Sequence, residues 1–190
     1  MPTFSEPQRL LGSQAPDFNL LGVDGVQYSL SSFQNARALV VVFMCNHCPY
    51  VQAILGRINR LAREYAPKGV RLVGINSNDE IRYPDDSFEM MKKLAQEQEF
   101  VFPYLRDETQ EVARAYHAVC TPEFYAYSFS EEKFLLKYHG RFDDNWKDER
   151  AVNHHDLALA LDQILADKDP AVDQKAAMGC SIKWKVPAPS

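Results

Sequence analysis

The stretch Ala38-Leu39-Val40-Val41-Val42-Phe43-Met44-Cys45-Asn46-His47-Cys48-Pro49-Tyr50-Val51 decides how the rest of the chain is read. Its first seven residues are apolar without a break. Beyond it, apolar residues recur at helical spacing: Val51, Ile54, Leu55, Ile58, Leu61, Ala62 and Tyr65. A short continuous apolar run predicts a buried strand, and a recurrence every three to four residues predicts an amphipathic helix. Cys45 and Cys48, with Asn46 and His47 between them, therefore stand where a core strand ends and a helix begins.

That placement has chemical consequences. Residues three apart on a helical turn face the same way, with roughly 5–6 Å between their Cβ atoms. Two thiols so placed can close a disulfide with modest adjustment. A helix N-terminus offers unpaired N–H groups and a partial positive charge, and both favour a thiolate. Only the thiolate attacks a disulfide. Position and spacing together describe a reversible two-electron thiol switch.

Composition bounds the setting. The chain has 190 residues, 46% of them hydrophobic, which suits one globular domain with a core over about 12–166 and an arm over 167–190. The formal net charge is −5 and no basic stripe appears, so nucleic acid and anionic membranes are not expected partners. Residues 1–11 have no basic cluster followed by an apolar region, and no apolar run is long enough to span a bilayer. The expected address is the cytoplasm. Of the four cysteines, Cys45, Cys48, Cys120 and Cys180, only the first two are close in sequence. In a reducing compartment such cysteines are more often catalytic or metal-binding than structural.

Upstream, residues 15–20 and 26–30 alternate apolar and polar around Val23-Asp24-Gly25, which predicts a β-hairpin. Downstream, the helix runs over 49–65, with Pro49 tolerated in its first turn and Pro67-Lys68-Gly69 stopping it. A second apolar strand over 70–75 completes a strand–helix–strand unit, hence a parallel pair with a right-handed crossover. A polar loop over 76–87 follows. Asp86 with Glu89 fits a capping box for a helix carrying Phe88, Met91, Leu94 and Ala95. Residues 100–105 read as a short strand, at an edge or irregular because of Pro103, and 109–117 as a short helix. Cys120-Thr121-Pro122-Glu123 enters a hairpin of strands over 124–128 and 134–138. A loop over 139–152 carries Arg141, Asp143, Asp144 and Trp146. Asn153 with Asp156 predicts the cap of a last helix, whose inward face is Leu157, Ala160, Leu161, Ile164 and Leu165. The arm from 167 shows no strong period.

This order of elements resembles the thioredoxin superfamily. Ala15-Pro16-Asp17-Phe18, Asp24-Gly25, Ser29-Leu30-Ser31-Ser32-Phe33 and the run from Leu39 to Phe43 resemble the start of its alkyl hydroperoxide reductase/thiol-specific antioxidant branch. Cys45-Asn46-His47-Cys48-Pro49-Tyr50-Val51, Cys120-Thr121-Pro122 and Gly179-Cys180-Ser181-Ile182-Lys183-Trp184-Lys185 look like a thioredoxin-like, peroxiredoxin-like subfamily. The resemblance covers the chain from about Gly12 to Lys185.

The resemblance implies that Cys45 is the exposed nucleophile and Cys48 the resolving thiol. It implies a cis Pro122 facing the disulfide, and a Thr121 whose backbone groups serve an extended substrate. There are departures. Met44 stands where thioredoxins carry Trp, and the positions of the buried acids known in related proteins fall at the apolar Leu39 and Val51. The peroxiredoxin pattern Pro-x-x-x-Thr-x-x-Cys is met in neither register: matched to Cys48 it places Val41 and Cys45, and matched to Cys45 it places Ala38 and Val42. His47 is similar to the His of Cys-Pro-His-Cys oxidants, whose nucleophile has a strongly depressed pKa, and implies an acidic Cys45.

Other readings stand beside these. Cys-x-x-Cys is also half of a zinc site, but zinc calls for a second close pair. A copper site from both thiolates and a His such as His139 suits soft-ligand chemistry. His47 is either an electrostatic partner of the thiols or a solvent-facing residue. Cys120 and Cys180 are candidate secondary redox thiols, against plain burial. His154 and His155, being neighbours, point apart. The expected protein is an α/β thioredoxin fold: a central mixed sheet flanked by helices, an N-terminal hairpin and a C-terminal arm. Its expected activity is thiol–disulfide oxidoreduction by Cys45 and Cys48, supported by Asn46, His47, Thr121 and Pro122, with no bound cofactor or metal. The expected partners are a protein or small-molecule disulfide and a thiol reductant, with a homodimer as a candidate assembly. The alternatives are a thiol peroxidase, and a metal-binding or interaction module without turnover.

Overall fold

A computed structural model of the chain describes residues 1–6, 10–171 and 173–185. The last residues of the expected arm, Pro187 and Pro189 among them, lie outside the described residues, as do 7–9 of the lead-in. Near the start, Thr3–Phe4 forms β1. The expected hairpin is β2 (Asn19–Gly22) and β3 (Gln27–Ser29), paired antiparallel. Its turn has Gly25 at φ 81°, and the Asp24 carboxylate accepts the Val26 N–H at 3.1 Å and the Tyr28 hydroxyl at 2.6 Å. The apolar run is β4 (Ala38–Phe43), buried at every residue.

Helix α1 spans Pro49–Tyr65, with Pro in its first turn as the sequence predicts. A 3-10 turn, Ala66–Lys68, and Gly69 at φ 91° end it. β5 (Val70–Asn76) then runs parallel to β4. Next come α2 (Phe88–Glu97), β6 (Tyr104–Arg106), α3 (Glu111–Ala115), β7 (Cys120–Thr121), β8 (Glu123–Ser130), β9 (Lys133–Gly140), α4 (Asp156–Leu165) and β10 (Met178–Ser181).

Seven strands form one mixed sheet in the order β3-β2-β6-β5-β4-β8-β9. β4 lies between parallel β5 and antiparallel β8. Because side chains alternate along a strand, Ala38, Val40 and Val42 pack with α1, α4 and Met91 of α2. Leu39, Val41 and Phe43 pack on the other face with Phe18, Phe33, Val112 and Tyr116. A strand covered on both faces has no polar side, so its sequence reads as unbroken apolar residues.

Three local expectations are corrected. Of the two alternatives at Pro103 the irregular one is met and the edge is not: it precedes β6, which lies inside the sheet between β5 and β2, and its carbonyl accepts the Gly74 N–H at 2.9 Å. The Asp86–Glu89 capping box is absent: Ser87 is the N-cap of α2, and Asp86 is turned into the protein. At α4 the N-cap is His155, while the Asn153 N–H is held by Asp144 at 2.9 Å. Asp86 is taken by donors distant in sequence, and the Asn153 side chain donates to the Ala151 carbonyl, so neither side chain caps the helix that the local pattern assigns to it.

The described segments near both ends are tied down more than their composition suggests. β1, β10 and β7 form a second, antiparallel sheet in the order β1-β10-β7. Strands of two to four residues are too short to show a period of two, so the sequence reads only an arm. This small sheet lays β10 along the Cys120–Thr121 segment, directly over the end of α1 that carries the cysteines.

Candidate active site

The buried strand β4 delivers Cys45 to the top of the sheet, and Cys48 is the N-cap residue of α1, as its position predicts. Thr121–Pro122 faces them across a cis peptide bond. The Cys45 thiol lies 3.3 Å from the Thr121 hydroxyl, and the protonated Cys48 thiol donates to the Thr121 carbonyl at 3.1 Å. Cys45, Cys48, Asn46, His47, Thr121 and Pro122 are thus brought together in one place.

The exposure expected of Cys45 is not found: Cys45 is 1% accessible and Cys48 0%. Nor does the acidity fall on Cys45. Once ionised, Cys48 receives a hydrogen bond from the Cys45 thiol and further ones from the Cys180 thiol, the Val51 N–H and the Thr121 hydroxyl; these outweigh burial and lower its pKa to about 5. The Cys45 thiol is pushed well up, first by donating to Cys48, then by burial and by the negative charge of Asp86. Negative charge is favoured on Cys48 over Cys45, because the Cys45 thiol, the Cys180 thiol, the Val51 N–H of the helix N-terminus and the Thr121 hydroxyl bear on it.

Asp86 is the feature that the sequence reading missed. It is 0% accessible and comes from the 3-10 turn before α2. Its Oδ1 accepts the Asn46 N–H at 2.7 Å, and its Oδ2 accepts from Asn78 Nδ2 at 2.8 Å and contacts His47 Nδ1 at 2.6 Å. The Asn46 side chain is fixed as well, donating to the Asp85 carbonyl at 2.8 Å and accepting the Tyr104 hydroxyl at 2.9 Å. His47, a quarter exposed, stacks on Tyr83 at a ring separation of 5.4 Å. A buried acid therefore does stand beside the thiols, supplied by a loop rather than by Leu39 or Val51.

Glu123 is a second buried acid that the reading passed over. It accepts from the Val119 and Cys120 N–H groups at 2.8 and 3.0 Å, from the Tyr125 hydroxyl at 2.8 Å and from His139 Nε2 at 2.7 Å. It locks the segment leading into Pro122. A charged residue inside an apolar strand immediately after Thr-Pro was the one signal that could have found it.

The remaining cysteines differ from each other. Cys120 is fully buried, and burial with the adjacent Glu123 holds its thiol protonated. Cys180 is half-buried and packs against the cluster that holds Cys45 and Cys48. A cavity of about 180 Å³ opens beside Pro122, lined on its apolar side by Phe4, Tyr50, Ile54, Trp146 and Met178. Asp143 is buried in an ion pair with Arg57 at 2.5 Å, so it braces the wall of this cavity.

Among the described residues, ligating atoms of Cys45, His47 and Asp86 lie within 4.8 Å of one another, a set with the chemistry to hold a divalent or soft metal. His139, considered as a copper ligand, is not in that set: its ring is buried against Glu123 and Tyr125.

Comparison with known proteins fits this geometry. The pattern of the AhpC/TSA family matches residues 11–139. Peroxiredoxin Bcp of Escherichia coli (strain K12) is 29% identical over 154 residues, covering 78% of this chain and 92% of that protein. The crystal structure of an uncharacterized conserved protein from Geobacillus kaustophilus is 43% identical with a TM-score of 0.90, covering 99% of this chain and 98% of that one. A thioredoxin family thiol:disulfide interchange protein from Chlorobium tepidum TLS, 20% identical with a TM-score of 0.55 over 65% of this chain and 82% of its own, shares the thioredoxin fold.

Proposed function

The chain belongs to the AhpC/TSA family, and from that premise we propose that it is a thiol–disulfide oxidoreductase working through Cys45 and Cys48. One observation carries the reading: Cys45 and Cys48 both sit against Thr121, at 3.3 Å from its hydroxyl and 3.1 Å from its carbonyl, with Cys48 at the N-cap of α1. The Cys48 thiolate attacks a substrate disulfide, one substrate sulfur leaves as a thiol, and a mixed disulfide forms. Cys45 then gives up its proton and attacks Cys48, closing Cys45–Cys48 and releasing the second substrate thiol. A thiol reductant reverses the cycle. This order of attack is the reverse of the one that resemblance implied, and the charge distribution supports it. Asn46 and His47, clamped by Asp86, shape the loop around the sulfurs, and the apolar cavity beside Pro122 suits an apolar side chain of a disulfide substrate.

Glutathione disulfide with the reduced protein tests the reading. Both site thiols should be lost with formation of Cys45–Cys48, and C48S should abolish catalytic disulfide turnover. Full turnover by C48S refutes it.

The similarity to peroxiredoxin Bcp favours a second reading, a thiol peroxidase. Here Cys48 is oxidised by a peroxide to a sulfenate and resolved by a neighbouring thiol with loss of water. Stopped-flow mixing with hydrogen peroxide separates the two: rapid loss of both thiols supports the peroxidase. In either reading the partners are a disulfide or peroxide and a thiol reductant. We place the protein in the cytoplasm, where the pair would rest as the dithiol; no helix among the described residues is long and apolar enough to cross a membrane. A homodimer is the assembly we would test by sedimentation.

A further inference from the structure

The backbone of Thr121, which resemblance assigns to an extended substrate, is already paired. β10 lies antiparallel along it, with Cys180 opposite Thr121 and Ser181 opposite Cys120. The carbonyl of Thr121 also touches the Cys48 thiol at 3.1 Å. The Cys180 side chain packs against the cluster that holds Cys45 and Cys48, and it bears on the ionisation of Cys48. The chain's own arm occupies the place of a substrate strand, with a cysteine at the matching position.

Two features build this contact. A Cβ on Gly179 would collide with the Thr121 carbonyl, so the close approach of β10 requires glycine there. The arm is also tied on both sides of Cys180. Before it, the Ser5 N–H donates to the Ala177 carbonyl at 3.0 Å; after it, the Ile182 N–H donates to the Val119 carbonyl at 3.1 Å and the Lys183 N–H to Asn78 Oδ1 at 2.8 Å.

We propose that Cys180 is a third redox thiol, taking the disulfide from Cys45–Cys48 through Cys48 and presenting it at the surface. The proposal rests on the reading of Cys45 and Cys48 as the redox pair. Cys180 loses its proton to solvent and its thiolate attacks Cys48 Sγ. The Cys48–Cys180 bond forms as the Cys45–Cys48 bond breaks, and Cys45 leaves as a thiolate that takes a proton from solvent. Cys180 is oxidised and Cys45 reduced, so no further oxidant is consumed. Burial, the hydrogen bond to Cys48 and the charge of Cys48 hold the Cys180 thiol up at about 12 in the reduced protein. The last two causes vanish once Cys48 is in a disulfide, which frees Cys180 to ionise. Cys180 is half-exposed while Cys45 and Cys48 are buried. The relay therefore moves oxidation from a shielded pair to a sulfur that a thiol reductant can reach.

The test uses the full-length protein oxidised with glutathione disulfide and mapped by non-reducing digestion and mass spectrometry. Wild type should close Cys45–Cys48. C45S should lose both remaining site thiols and form Cys48–Cys180. C45S/C180S should instead accumulate a glutathione adduct on Cys48, and thermal melts should show that all variants are folded. A lasting adduct on Cys48 in C45S with Cys180 free, or no reaction of C45S where wild type reacts, overturns the relay. Absence of Cys45–Cys48 in wild type overturns the underlying pair and the relay with it.

Discussion

Nδ1 of His47 sits 2.6 Å from Oδ2 of Asp86, a residue 39 positions later in the chain and wholly buried. Through this contact and the one to the Asn46 N–H, a single carboxylate holds both residues between the cysteines. It also keeps a negative charge next to Cys45. Each feature gives an expectation for Asp86.

Asp86→Ala leaves Asn46, His47 and Asn78 without an acceptor. Hydrogen bonds to a charged group are worth about 1.5–3 kcal/mol, so unfolding free energy should fall by at least that much in urea titration. Asp86→Asn keeps the shape and removes the charge. The Cys45 thiol should then ionise at lower pH, seen as a shifted second step in thiolate absorbance. An unchanged second step would mean that the Asp86 charge does not reach Cys45.

The reduced protein should have a stability maximum set by its two site thiols. Cys48 ionises at about 5 when folded, against 9.0 for an ordinary thiol. Between those pH values the unfolded chain binds the extra proton, so stability rises with pH and is lost as pH falls through about 5. Cys45 is shifted the other way. Above the ordinary thiol pKa the folded state keeps that proton and the unfolded state does not, so stability falls. Thermal melts of reduced wild type and of C48S across this range should differ by a slope below pH 9.0 that only wild type shows.

Gly179→Val should lift β10 from Thr121. Overpacking of this kind costs about 1–3 kcal/mol. The buried thiols should become accessible, so alkylation of reduced protein by iodoacetamide should speed up at Cys45 and Cys48. Unchanged alkylation at both would show that the arm does not cover the site.

Glu123→Ala should be the most damaging of these changes. Two N–H groups, a tyrosine hydroxyl and the His139 ring all lose their acceptor in the core. Removing one member of a buried charged cluster costs about 3–5 kcal/mol. Denaturant midpoints measure this directly, and a loss below about 1 kcal/mol would contradict the role assigned to Glu123.

Cys120→Ala, by contrast, should leave oxidation by glutathione disulfide unchanged in rate and in the disulfides formed. Its thiol is held protonated and fully buried, so it packs like a small apolar side chain.

What was legible in the amino-acid order was local and periodic. The unbroken run from Ala38 and the helical recurrence to Tyr65 located β4, α1 and the two thiols at their junction, because strand and helix periods depend only on near neighbours. Asp24-Gly25 likewise announced its hairpin. Tertiary structure alone decided which groups surround those thiols. Asp86, Glu123 and Cys180 come from a loop, a sheet strand and the C-terminal arm, and no spacing rule links them to Cys45. Asp86 sets its charge beside Cys45, Cys180 bears on Cys48, Glu123 holds the Cys120 N–H, and β10 covers the pair. Sequence determined where the two thiols stand, and the fold determined which groups bear on each of them, because that depends on donors and carboxylates that only folding brings within a few ångströms.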